Sequence, residues 1–191
     1  MASGLVTPLA IGVGDGPTLT AASAATCLPV TAKYTFPPNS IMQGSKLRIT
    51  AFGRISCVVT TPGTARFDVR LGSTVIYDSG ALNLNIVAKT TLPWWLDIAI
   101  TCRTAGSSGS FFGMCKWTSE AYINTAVATT GPAPGSVLSS ITGPETAPAV
   151  GANTVDLTAS NTFDMFFTQT VATGSFTVHD FLLESLAVGL A

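Results

Sequence analysis

Lys46-Leu47-Arg48-Ile49-Thr50-Ala51-Phe52-Gly53-Arg54-Ile55-Ser56-Cys57-Val58-Val59-Thr60 decides the fold class. Leu47, Ile49, Ala51, Gly53, Ile55, Cys57 and Val59 fall on one side. Lys46, Arg48, Thr50, Arg54, Ser56 and Thr60 fall on the other, joined by Phe52 and Val58. A period of two belongs to a half-buried β-strand, because successive side chains point to opposite faces. Gly53 predicts a bulge or bend in its middle.

The same alternation recurs on either side. Thr61-Pro62-Gly63-Thr64 is a turn signal, and Ala65–Leu71 places Phe67, Val69 and Leu71 opposite Arg66, Asp68 and Arg70. Gly72-Ser73 fits a tight hairpin into Thr74–Tyr77. Further strands are predicted over Asn83–Lys89, Trp94–Arg103, Phe111–Thr118, Thr154–Thr158, Thr162–Val171 and Ser175–Leu186. No stretch sustains a 3.6-residue period. The chain therefore reads as all-β, an antiparallel β-sandwich of the jelly-roll kind. Spacing alone does not separate that from an immunoglobulin-like sandwich.

Two segments depart from the pattern. Residues 1–32 are rich in Ala, Gly, Thr and Pro and carry one charge, Asp15. Residues 120–151 hold Gly131-Pro132-Ala133-Pro134-Gly135 and Thr142-Gly143-Pro144. Structureless loops longer than about 12–15 residues are uncommon in compact domains. The expectation is an extended N-terminal arm over 1–32, a single sandwich domain over 33–191, and one long loop near 120–151 that can hold a short strand at Val137–Ile141. Both segments are nearly uncharged and are expected to pack on neighbouring subunits. The candidate interface residues are Leu5, Ile11, Trp94, Trp95, Val137 and Ile141.

Charge is scarce: 10% of residues are Asp, Glu, Lys or Arg, and the net charge is −1. A chain of this mass exposes roughly 8,500 Å² when folded alone, and average composition is about 25% charged. Isolated monomers rarely expose apolar patches beyond about 300–600 Å². The scarcity thus predicts an assembly. Charge is also unevenly placed. Lys33, Lys46, Arg48, Arg54, Arg66 and Arg70 stand against Asp68, whereas from Thr104 onward Lys116 stands against Glu120, Glu145, Asp156, Asp164, Asp180 and Glu184. Pairing of these blocks within one fold is the simpler expectation, with pairing between subunits as the alternative.

The near-neutral balance gives no bulk field for nucleic acid, and no apolar run reaches the roughly 18–20 residues that span a bilayer, so neither partner is expected. The first basic residue is Lys33, too late for a secretory n-region, which reads as cytosolic synthesis. Cys27, Cys57, Cys102 and Cys115 form no C-x-x-C pair and are read as small buried hydrophobes. The single histidine, His179, has no recognisable nucleophile or metal-ligand partners and reads as structural or interfacial. Gly12-Val13-Gly14-Asp15-Gly16 lacks a dinucleotide or phosphate-loop pattern. No catalytic, metal or cofactor site is expected. Trp94-Trp95 is the exception worth following. Adjacent strand residues face opposite ways, so one fills the core while the other meets solvent, a partner or a sugar.

Leu47–Ile55, the Thr60–Thr64 turn, Phe67–Gly72, Leu84–Thr90 and Phe181–Leu186 together resemble small structural proteins of tailed bacteriophages. The resemblance is one of strand-and-turn pattern over about residues 40–118 and 150–186. It implies a virion component with a jelly-roll-like domain, commonly trimeric, on the capsid surface. A capsid decoration protein contacting the major capsid protein is the first expectation. A tail or head-fibre protein binding a host receptor or glycan is the alternative. No catalytic residues carry over.

Overall fold

The alternating stretches form two antiparallel sheets packed face to face. The computed structural model describes residues 5–57, 63–85, 87–124, 138–142, 154–172 and 174–187. Its strands are β1 (Leu5–Ile11), β2 (Ala25–Thr26), β3 (Thr35–Phe36), β4 (Lys46–Cys57), β5 (Thr64–Leu71), β6 (Thr74–Asp78) and β7 (Leu82–Leu84). They continue with β8 (Lys89–Thr104), β9 (Ser110–Ser119), β10 (Tyr122–Asn124), β11 (Leu138–Thr142), β12 (Asn161–Gln169) and β13 (Ser175–Ala187). One sheet runs β1-β13-β4-β8-β9-β11. The other runs β10-β7-β5-β12-β2, with β3 and β6 attached to β12 and β5. From β8 on, the chain crosses repeatedly from one sheet to the other, which makes a jelly-roll-like sandwich.

The inward positions anticipated for β4 are buried at Leu47, Ile49, Ala51, Ile55 and Cys57. Leu96, Ile98, Ile100 and Cys102 of β8 join them. Between the sheets lies an aromatic cluster. Phe67 of β5 meets Trp117 at 5.2 Å, and Phe167 of β12 stacks on Phe176 of β13 at 3.9 Å. Each such side chain removed from water contributes roughly 1.5–3 kcal/mol, so this cluster is the main adhesive between layers.

All four cysteines are buried and free. Pairing of the charge blocks within the chain is visible in Lys33, whose Nζ donates to Asp164 at 2.6 Å. Across the β4–β13 ladder, Arg48 stands opposite Glu184. The guanidinium of Arg48 also pairs with Asp97, which pushes its pKa further up.

Several expectations need correction. The N-terminal segment lies along its own sandwich rather than extending away from it. β1 pairs with β13, and Gly12, Gly16 and Leu19 donate backbone hydrogen bonds to Phe181, Val178 and Phe176. Cys27 and Leu28 sit in the core. An uncharged run is the composition an outer strand needs when it adds to a sheet whose inner side is apolar. Within the expected loop over 120–151, β10 pairs with β7, which the sequence did not suggest, while β11 pairs with β9 close to the short strand read at Val137–Ile141. Thr154–Thr158 forms one isolated bridge, Val155 to Gly109, not a strand. There the Asp156 carboxylate accepts from the Thr158 amide and hydroxyl, a local turn that competes with the ladder. The strand expected over Asn83–Lys89 stops at Leu84. Asn85 is the reason: its side-chain oxygen accepts from the Val87 amide and its nitrogen donates to the Glu120 carbonyl.

Candidate functional site

Phe52 of β4, Trp95 of β8 and Thr118 of β9 stand in one cross-strand row. Directly opposite residues share a sheet face, and this face points outward. Trp95 is 49% exposed and Phe52 is 37% exposed. Their rings lie at 12° to each other with centroids 5.4 Å apart, nearly parallel and offset. Offset stacking is a favourable aromatic geometry, so Phe52 fixes the plane of the Trp95 indole. Both line an open groove with a volume of about 520 Å³.

The groove is shaped by what lies beneath and beside these rings. Trp94, next in the chain, turns inward and stacks on Phe176 at 4.7 Å. Gly53 follows Phe52 and carries no side chain because a Cβ there would run into the Thr177 carbonyl and the Trp94 ring. Ser119 ties β9 to β8, its hydroxyl donating to the Pro93 carbonyl at 3.1 Å and accepting from the Ala121 amide. At one rim Glu120 is held by Lys89 at 2.6 Å. At another, Arg54 donates to the Thr91 carbonyl at 3.1 Å. Thr91 has φ of 55°, a strained value for a β-branched residue, within a register shift where β4 and β8 slip past each other.

The remaining wall is His179. On β13, Val178 pairs with Gly53 and Asp180 pairs with Phe52, leaving His179 as the extra residue of a β-bulge. A bulge re-aims the side chain it carries. The imidazole Nδ1 lies 2.8 Å from Asp15 Oδ1. Asp15 reaches it because Gly16 bonds to the Val178 carbonyl beside it, in a passage where a Cβ would collide with the Cys27 carbonyl.

Of the six candidate interface residues read from sequence, Trp95 is the one that lies exposed in this groove. Trp94 also lines it, yet it is 2% exposed, which removes it from the candidate interface. Ile11 is exposed on β1 opposite Leu182, three residues along β13 from His179, and does not line the groove. Leu5 pairs with Ala187 and Ile141 pairs with Lys116, and the side chains of both fall outside the described residues, as does Val137 altogether. Sequence reasoning passed over Asp15, Glu120 and the placement of His179. One signal was present. The inward positions of β13 are Phe176 and Val178, then Phe181 and Leu183. That change of parity marks an extra residue at 179 or 180.

No protein-family model and no curated protein matches the chain. Among solved structures it is similar to the CBM2 module of the evolved Dit of Lactobacillus casei BL23 phage J-1. The identity is 10%, the TM-score is 0.39, and the match covers 98% of this chain and 99% of that one. A likeness this slight carries no argument about function.

Proposed function

We propose that this chain is a non-enzymatic component of a tailed-bacteriophage particle, and that its groove holds a saccharide of the host surface. The placement on a virion rests on the strand-and-turn resemblance of the sequence. The binding reading rests on one observation: a half-exposed Trp95, its plane fixed by Phe52, in the groove beside His179, Arg54 and Glu120. An exposed indole gains most when an apolar face covers it while polar groups at the rim stay satisfied. The C–H face of a sugar ring, edged by hydroxyls, has that character. Small-molecule sites occupy about 300–1,000 Å³, and the groove falls within that range.

The chain has three tryptophans, and Trp94 and Trp117 are buried. Change in the exposed part of the fluorescence therefore reports on Trp95. A panel of glucose, galactose, N-acetylglucosamine and rhamnose oligosaccharides is the probe. We expect a subset to shift the emission, and Trp95→Ala to weaken their binding at least tenfold, since an aromatic anchor is worth 2 kcal/mol or more by the usual ~2 kcal/mol hot-spot threshold. Silence across the panel and unaltered adsorption of Trp95→Ala particles to host cells would sink the reading.

A second reading, capsid decoration, is favoured by a different observation. Val6, Ile11 and Val13 stand exposed on and just after the outermost strand β1. In that role the chain works as a homo-oligomer, a trimer by preference, against the major capsid protein or another virion protein. Copy number on purified particles separates the two: hundreds of copies on the head indicate decoration, a few at a vertex or tail indicate attachment.

A further inference from the structure

We infer that His179 is a ligand-contacting residue of the groove, that Asp15 fixes its tautomer, and that the ligand is a saccharide donating a hydroxyl hydrogen to the imidazole. The inference deepens the saccharide reading above and rests on it.

An ionised carboxylate can only accept, so the hydrogen between His179 and Asp15 belongs to Nδ1. In a neutral imidazole the other nitrogen, Nε2, is then a hydrogen-bond acceptor. Nε2 has no hydrogen-bond partner among the described residues. The bulge sets this ring in the wall of the groove that also holds Trp95. At the rim Glu120 is paired with Lys89, while Arg54 spends one N–H on the Thr91 carbonyl and keeps its charge. The groove thus sets an apolar ring face beside an oriented acceptor. A sugar hydroxyl supplies the proton that this acceptor takes.

The geometry also gives residues 12–19 a part in binding. They run beside β13 through Gly12 to Phe181, Gly16 to Val178 and Leu19 to Phe176, with Thr18 and Thr177 hydroxyls 3.0 Å apart. Asp15 is thus held to the strand that carries His179. It is a positioning residue, acting on the ligand through the imidazole.

The chain has a single histidine, so its imidazole nitrogens are read without overlap after ¹⁵N labelling. In its neutral form the wild-type imidazole should show a protonated Nδ1 and a bare Nε2. Asp15→Ala should return the ring to a mixture of tautomers. The saccharides of the panel that shift Trp95 emission should also shift Nε2. His179→Phe should weaken them at least tenfold with an unchanged melting temperature. His179→Gln, which restores an oxygen near the Nε2 position, should recover part of that loss. An Nε2–H tautomer in the free protein would overturn the inference whatever binds. Saccharides that need Trp95 but ignore His179→Phe would overturn it and leave the platform standing. No binding by any saccharide would remove both readings together.

Discussion

Cys27 shows how one buried side chain sets the response of the whole fold to pH. Its thiol donates to the Met165 carbonyl at 3.2 Å, and Asp164 and Asp68 lie near. Burial first, then these carboxylates, push its pKa well above the ordinary thiol value. Burial likewise raises Cys57 and Cys102. In the unfolded chain these thiols ionise near their usual value of about 8.5. The folded state keeps its protons where the unfolded state gives them up. Stability is therefore flat below about pH 8.5 and falls as pH rises above it, by as much as ~1.4 kcal/mol per pH unit per thiol. Urea midpoints measured from about pH 7 to pH 10 should show this decline. Cys27→Ala should flatten it by one thiol's share, and identical slopes in the two proteins would refute the assignment. The buried role of Cys57 and Cys102 was legible from their positions in alternating strands and the absence of paired spacing. That of Cys27 was not, because the sequence put it in the N-terminal segment, and the added push on its thiol depends on Asp68 and Asp164 arriving from β5 and β12.

At the level of elements, legibility followed periodicity. Strands β4, β8 and β9 were readable because each carries a long alternation of buried and more exposed residues, and β5, β6, β12 and β13 because shorter alternating runs in the sequence are bounded by turn signals. β1 was not. It is charge-free and contains Pro8, which has no amide to donate and belongs only on an edge. The edge is where the chain puts it, opposite Glu184, with a register shift between Pro8 and Ala10. The bulge that presents His179 was half legible, since the parity change in β13 was visible but its consequence depends on β4 as neighbour. Phe52 on the polar side of β4 was likewise visible, but its pairing with Trp95 required the β4–β8 register. These placements set the cost of trimming. Leu9 and Ala10 of β1 are partly buried against the core, and ordering seven residues offsets most of that gain. Removing residues 1–11 should therefore lower stability by only ~1–2 kcal/mol, or roughly 2–8 °C in melting temperature for a chain of this size. It should also bare β13 as an edge and promote aggregation. Removing residues 1–28 takes Cys27 and Leu28 from the core and should abolish cooperative melting. Circular dichroism melts with parallel light scattering check both, and a cooperative, unshifted melt after the longer deletion would contradict the integrated placement of this segment.

For the whole molecule, the scarcity of charge becomes more acute once pairing is counted. Lys33–Asp164, Arg48–Asp97, Arg66–Asp78, Arg70–Asp68 and Lys89–Glu120 occupy ten of the nineteen charged side chains. These pairs spend their fields on each other, and the two more exposed ones, Arg48–Asp97 and Arg66–Asp78, add little stability. Little unneutralised charge remains to keep copies apart. Meanwhile Val6, Ile11, Val13, Val30, Met42 and Met114 present apolar surface to solvent on several sides. An association built on such surface is driven by removal of apolar area from water, which salt does not screen. Contacts between charged rims behave oppositely, because at about 1 M salt the Debye length falls to ~3 Å. The chain should therefore self-associate, and its oligomer should persist or tighten between about 0.1 M and 1 M sodium chloride. Light scattering coupled to size exclusion measures this directly. Introducing charge on the outer strand, as in Val6→Lys with Ile11→Lys, should shift the population toward monomer while the melting temperature stays within a few degrees. A wild-type protein that remains monomeric at high concentration in both salts would show that the exposed apolar side chains are scattered too thinly to act together.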